Sequence, residues 1–158
     1  MKGKIIALVG MCAVATGLSG GPVQASAAPG PITPASAADC ENGANGFVDI
    51  PDTLSGTVRR TVHLNTETRV ELQSGTIGGV TRGWGKILGH TLYGDMVWMD
   101  WTRDGGSTWI QCGPFAVGGL GQTKTTAAQR TSSSTTWRFR ACGMFREFPS
   151  SLKCTTWW

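Results

Sequence analysis

Three aspartates, Asp95, Asp100 and Asp104, stand close together in the middle of the chain. Carboxylates are what glycoside hydrolysis needs, two of them about 5–10 Å apart. Asp100 is the candidate catalytic acid, because it lies between Trp98 and Trp101 in an apolar run where desolvation would raise its pKa. Its second acid would have to come from Glu41, Asp49 or Asp52, which no spacing ties to it. The three central aspartates also have structural roles open to them. Asp104 can cap a loop, Asp95 belongs to a Gly94-Asp95 turn, and Asp100 can be a hydrogen-bonded core carboxylate. His63 and His90 are the only histidines, and Glu71 is the acid expected near His63. No Gly-x-Ser-x-Gly elbow supplies a nucleophile for a triad, and the serines gather in segments such as Ser132-Ser133-Ser134. Neither zinc-type cysteine pairs nor an EF-hand spacing occurs, so no metal or cofactor is expected.

Seven tryptophans are the other chemical excess: Trp84, Trp98, Trp101, Trp109, Trp137, Trp157 and Trp158. Flat aromatic rings flanked by polar side chains suit recognition surfaces, since pyranose C–H faces stack on π-faces. Trp84, between Gly83 and Gly85, and the terminal pair Trp157-Trp158 are the expected platforms, with Arg138 and Arg140 as polar partners. Trp109, Trp137 and Trp98 are expected in the core.

What must position these residues is one exported domain. Lys2 and Lys4 precede an apolar run, Ile5 to Leu18, too short to span a bilayer comfortably. Small-residue sites follow, giving a signal peptide over 1–27 with cleavage after Ala27, or after Ala25. Residues 28–39 hold three prolines and little apolar bulk, and read as a disordered linker. The domain then spans 40–158. Removing residues 1–27 removes Lys2 and Lys4 and no acid, lowering the net charge from +4 to +2. So weak a balance predicts no nucleic-acid partner and, after cleavage, no membrane association. A monomer is expected. Cys40, Cys112, Cys142 and Cys154 remain, an even number in an oxidising compartment. Three pairings are possible. The short separation favours Cys142–Cys154, which leaves Cys40–Cys112.

Apolar period is two, not 3.6. Val58, Val62 and Leu64 share one face of 57–64, and Val70 and Leu72 one face of 68–73. A three-residue loop at Asn65-Thr66-Glu67 puts Val62 opposite Val70, whereas a two-residue loop would mix the faces. Glycines over 76–93 predict strands broken by bulges. Met96 to Trp101 is apolar on both parities and predicts a central strand. Residues 123–136, mostly Thr, Ser, Ala and Gln, predict an edge strand or a mobile loop. In 136–142, Trp137, Phe139 and Ala141 point inward, Arg138 and Arg140 outward. About eight short strands result, an all-β, disulfide-braced antiparallel sandwich or small barrel.

Thr102-Arg103-Asp104-Gly105-Gly106-Ser107-Thr108-Trp109 fits Ser/Thr-x-Asp-x-Gly-x-Thr-Trp at Thr102, Asp104, Gly106, Thr108 and Trp109. That pattern resembles the Asp-box, the β-hairpin loop of sialidases and other secreted β proteins. The resemblance implies that Asp104 caps loop amides, that glycine makes the bend, and that Trp109 anchors the hairpin in the core. It implies no catalysis, and a single copy is too little for a propeller. More widely, 94–115, Phe139 to Gly143 and Cys154 to Trp158 resemble a group of small exported proteins of high-GC Gram-positive bacteria. This implies export and a four-cysteine architecture without implying an activity.

The expected function is a secreted, non-catalytic domain that binds an extracellular or cell-wall polysaccharide. The alternatives are a small glycan or cell-wall hydrolase acting through Asp100, and an inhibitor-like protein-interaction module using a loop held by Cys142–Cys154.

Overall fold

A computed structural model describes residues 36–158. The expected signal peptide and most of the linker lie outside the described residues. Residues 37–39 of that linker form a 3-10 turn, in which Asp39 accepts a hydrogen bond from the Ser36 backbone.

Nine strands follow in chain order: β1 (Thr57–His63), β2 (Thr68–Ile77), β3 (Val80–Gly89), β4 (Met96–Thr102), β5 (Ile110–Ala116), β6 (Lys124–Thr125), β7 (Gln129–Arg130), β8 (Arg138–Phe145) and β9 (Phe148–Cys154). One sheet is the meander β1-β2-β3, with β6 and β7 end to end along the outer edge of β3. The other has the order β5-β4-β8-β9. All pairings are antiparallel, and the two sheets face each other as a sandwich rather than closing into a barrel.

Strand alternation decides the core. Val70, Leu72 and Ile87 of the first sheet and Val97, Met99, Trp101, Phe139 and Ala141 of the second are all buried between the sheets. Each large apolar side chain so buried contributes about 1.5–3 kcal/mol. The β1–β2 register is the one a three-residue loop requires, with Val62 opposite Val70. Asn65 closes that loop by accepting from the amides of Glu67 and Thr68 at 2.9 and 2.6 Å. A bulge between Val58 and Arg60 then reverses the faces, so Val58 is exposed instead of sharing Val62's side.

Bulges expected in β3 are absent; it pairs with β2 without a break from Gly89 to Val80. Glycine serves close sheet approach instead. A Cβ on Gly85 would lie 3.3 Å from Ala141, and one on Gly143 would lie 2.6 Å from Val70 and 2.8 Å from the Met96 carbonyl. Gly143→Ala should therefore lower stability by about 2 kcal/mol through overpacking. A urea midpoint equal to that of the parent would show that the sheets separate at little cost.

Residues 123–136 take the edge-strand alternative, as β6 and β7 on β3, and are more buried than their composition suggests. Thr125 to Gln129 are buried along the edge of β3, and the Thr126 hydroxyl accepts from the Gly85 amide at 3.0 Å. Small polar side chains fill the core margin there by bonding the backbone. Both disulfides are in place. Cys40–Cys112 ties the segment before β1 to β5 across 72 residues, and Cys142–Cys154 joins directly opposed positions of β8 and β9.

Candidate ligand-binding site

In β4, placing Val97, Met99 and Trp101 in the core turns Trp98, Asp100 and Thr102 to the outer face of the second sheet. Register sets Asp100 opposite Arg140 on one side and Gln111 on the other. The Arg140 Nε donates to Asp100 Oδ2 at 2.7 Å. Asp100 is only 2% exposed, and its Oδ1 has no partner among the described residues. Burial pushes its carboxyl above the ordinary range, against the pull of the Arg140 guanidinium. That guanidinium lies 5.1 Å from the Trp109 ring and 4.6 Å from the Trp157 ring, and the two rings meet edge-on at 6.4 Å. The result is an aromatic surface with a planar cation fixed in it by a buried carboxylate.

The β4–β5 loop brings Trp109 there. Asp104 accepts from the Thr108 amide at 3.0 Å and from the Thr102 and Thr108 hydroxyls at 2.7 and 2.6 Å. The Thr108 hydroxyl and amide, with Thr102, hold the Asp104 carboxyl well below the usual range. The Gly106 amide donates to the Thr102 hydroxyl at 3.1 Å, and Trp157 lies against Gly106.

Several tryptophans are not where the sequence reading put them. Trp109 was expected in the core and is 48% exposed. Cys112 is drawn inward by its disulfide, and period-two alternation then sends Trp109 and Gln111 outward. Trp84, expected as an exposed platform, is 1% exposed. It projects from the outer face of the first sheet, where the segment before β1 covers it; a Cβ on Gly56 would lie 2.6 Å from its ring. Lys86, on the same face, donates to the Leu54 carbonyl at 2.6 Å and holds that cover down. Trp157 and Trp158 do not form one patch. Trp157 joins the outer cluster, while Trp158 turns inward against Phe139 at 5.8 Å. Arg138 is exposed and donates to the Thr135 carbonyl at 3.1 Å.

The acids offered as partners for Asp100 stand elsewhere. Glu41, Asp49 and Asp52 line a small hollow with Phe115 and Lys124, and Asp52 is engaged by Lys124 and the Thr125 amide. His63 is exposed opposite Arg69, and Glu71 is taken by Arg69 and Gln73 rather than by His63. Asp95 caps its own turn, accepting from the Leu92 amide at 2.8 Å.

A second site has no counterpart in the sequence reading. At the opposite end of the sandwich a cleft of about 620 Å³ is lined by Leu92, Tyr93, Leu120 and Phe148, with His90 and Arg146 at its polar side. The four apolar residues are each more than half exposed. They come from two loops and the start of β9 and signal nothing individually; only the topology gathers them.

Among the described residues, no group of three or more His, Cys, Asp or Glu could hold a metal ion. None of their helices is long and apolar enough to cross a membrane. Fold and site together define a disulfide-braced all-β sandwich with an arginine–tryptophan surface at one end and an apolar cleft at the other. No family model, curated protein or solved structure matches the chain.

Proposed function

We propose that the chain is an exported, non-catalytic binding domain for an extracellular polysaccharide. The observation that carries this reading is the half-exposed Trp109 beside Arg140, the latter held by buried Asp100 and flanked by Trp157. A pyranose ring stacks its C–H face on an exposed indole, and the neighbouring guanidinium donates to ring hydroxyls. Rigid strands and two disulfides fix the groups beforehand, so little ordering is required on binding. The leader-like N-terminus and the paired cysteines accord with export.

The test is a titration with a panel of soluble glycans, followed by tryptophan emission. Trp109→Ala should weaken binding about tenfold or more, as loss of a central aromatic contact does. Tyr93→Ala, in the distant cleft, should leave it unchanged. Loss of binding in Tyr93→Ala with retention in Trp109→Ala would overturn the assignment. Release of reducing sugar, abolished by Asp100→Asn, would replace it with the hydrolase alternative.

One observation favours a second reading, a protein-interaction module. The apolar cleft is walled by the β8–β9 hairpin, which the Cys142–Cys154 bridge braces and which carries Phe148 at its tip. Exposed apolar residues gathered in one place mark partner surfaces more often than chance.

A further inference from the structure

We infer, building on the polysaccharide reading, that the bound glycan is acidic, and that its anionic groups dock on an arginine cluster at the Trp109 end of the sandwich. The chain has nine arginines, and six of them collect at this end: Arg59, Arg82, Arg103, Arg130, Arg138 and Arg140. Register shows why. Arg82 pairs with Arg130 and lies opposite Gly75, Arg138 pairs with Thr102, and Arg103 follows directly on β4. A net charge of only +2 for the mature chain hides this, because the acids lie elsewhere or are engaged.

Of the six, Arg140 alone has a carboxylate within ion-pair distance among the described residues. The others are held by aromatic faces, by carbonyls and, for Arg59, by the Ser74 hydroxyl at 2.7 Å. Arg103 lies 4.5 Å from the Trp101 ring and 5.3 Å from Trp137, Arg130 lies 5.3 Å from that same Trp137 ring, and Arg59 lies 5.1 Å from Trp158. Stacking fixes the plane of a guanidinium without using its N–H donors, leaving the fork turned to whatever approaches. Two like charges held against one indole make this end more positive, which an anion bound beside them offsets.

Trp137 and Trp158 line a hollow of about 200 Å³. Trp101, Arg103 and Trp109 line another of about 300 Å³. The Trp101 indole N–H is buried and has no acceptor among the described residues. Arg82 Nε is buried without a partner as well, against one unpartnered buried acceptor at this end, Asp100 Oδ1, and a ligand rich in carboxylate or sulfate oxygens supplies acceptors for such donors. Nucleic acid shares the charge but asks for bases stacked along a groove that tracks its backbone. The hollows here are short and separate, which favours an acidic sugar chain.

The test compares polygalacturonate, a neutral soluble glucan and a single-stranded oligonucleotide, at about 20 and 200 mM salt. Polygalacturonate should bind most tightly and lose about thirtyfold or more in affinity across that range, as two or more counterion-releasing contacts do. The Arg103→Gln/Arg130→Gln double variant should lose about tenfold for polygalacturonate while the salt dependence flattens. Arg103→Lys/Arg130→Lys, which keeps charge, should fall between, and Arg146→Gln at the other end should match the parent. Circular dichroism separates lost binding from lost folding, and the salt dependence of the unaltered protein tests the inference without any variant. Equal binding of neutral and acidic glycan, insensitive to salt, would overturn this inference and leave the polysaccharide reading standing. Binding to neither glycan would overturn both. Tighter binding of the oligonucleotide would overturn the acidic-glycan assignment in favour of nucleic acid.

Discussion

Replacing Cys40 and Cys112 together by alanine should lower the unfolding free energy by about 4 kcal/mol, the loop-closure cost for a bridge spanning 72 residues. Both sulfurs are buried in the core, and the bridge fastens the segment before β1 to β5. That segment sets Phe47 edge-on against Trp101 at 5.7 Å and continues into the cover over Trp84. Without the bridge the cover is held mainly by Lys86, by the Gln73 side chain on the Gly56 amide, and by Asp52 on β6. Removing Cys142–Cys154, which spans 12 residues, should cost less, about 3 kcal/mol. Urea unfolding of the two double variants checks the ordering. A larger loss from the short bridge would mean that the β8–β9 hairpin, not the N-terminal strap, limits stability.

Arg140→Met should destabilise by about 3 kcal/mol at neutral pH, because it leaves a buried carboxylate uncompensated. Its pH dependence is the sharper signature. The Asp100 carboxyl already titrates above its unfolded value through burial, with Arg140 opposing the shift. A folded pKa raised above the unfolded one gives stability that is full below the unfolded value and lost as pH rises through the folded one. Removing Arg140 raises the folded pKa further. The gap between variant and parent should therefore be small near pH 4 and grow toward pH 7. Asp100→Asn in the same background should close most of the gap at neutral pH. A gap independent of pH would show that the contacts of the guanidinium with the Trp109 and Trp157 rings matter more than its pairing with Asp100.

How far the sequence foretold this structure depended on whether local alternation was the deciding force. Val62 opposite Val70 followed from loop length and pattern alone. Apolar residues on both parities of 96–101 foretold the central place of β4 between β5 and β8. Phe139 and Ala141 against Arg138 and Arg140 gave the facing of β8. Elsewhere tertiary contacts overrode the local signal. Val58 was turned out by a one-residue bulge at Arg59 that no turn residue announces. Residues 125–129 entered the core although small and polar, because β3's free edge needed backbone partners. Trp84 and Trp109 exchanged expected roles, the first covered by a distant strap and the second turned out by the parity that Cys112 imposes. The apolar cleft and the arginine end draw on segments far apart in sequence, so neither leaves a local trace.

The most direct measurement is a ¹H–¹⁵N spectrum of the tryptophan indoles during titration with a soluble acidic polysaccharide. Each of the seven indoles reports on a known place in the fold. Trp109 and Trp157 should shift progressively and saturably, Trp137 and Trp158 should follow if the arginine end is engaged, and buried Trp84 should stay fixed. Saturable binding that leaves Trp109 and Trp157 unmoved, with changes confined to the backbone amides of Leu92, Tyr93 and Phe148, would contradict the account and assign ligand recognition to the apolar cleft.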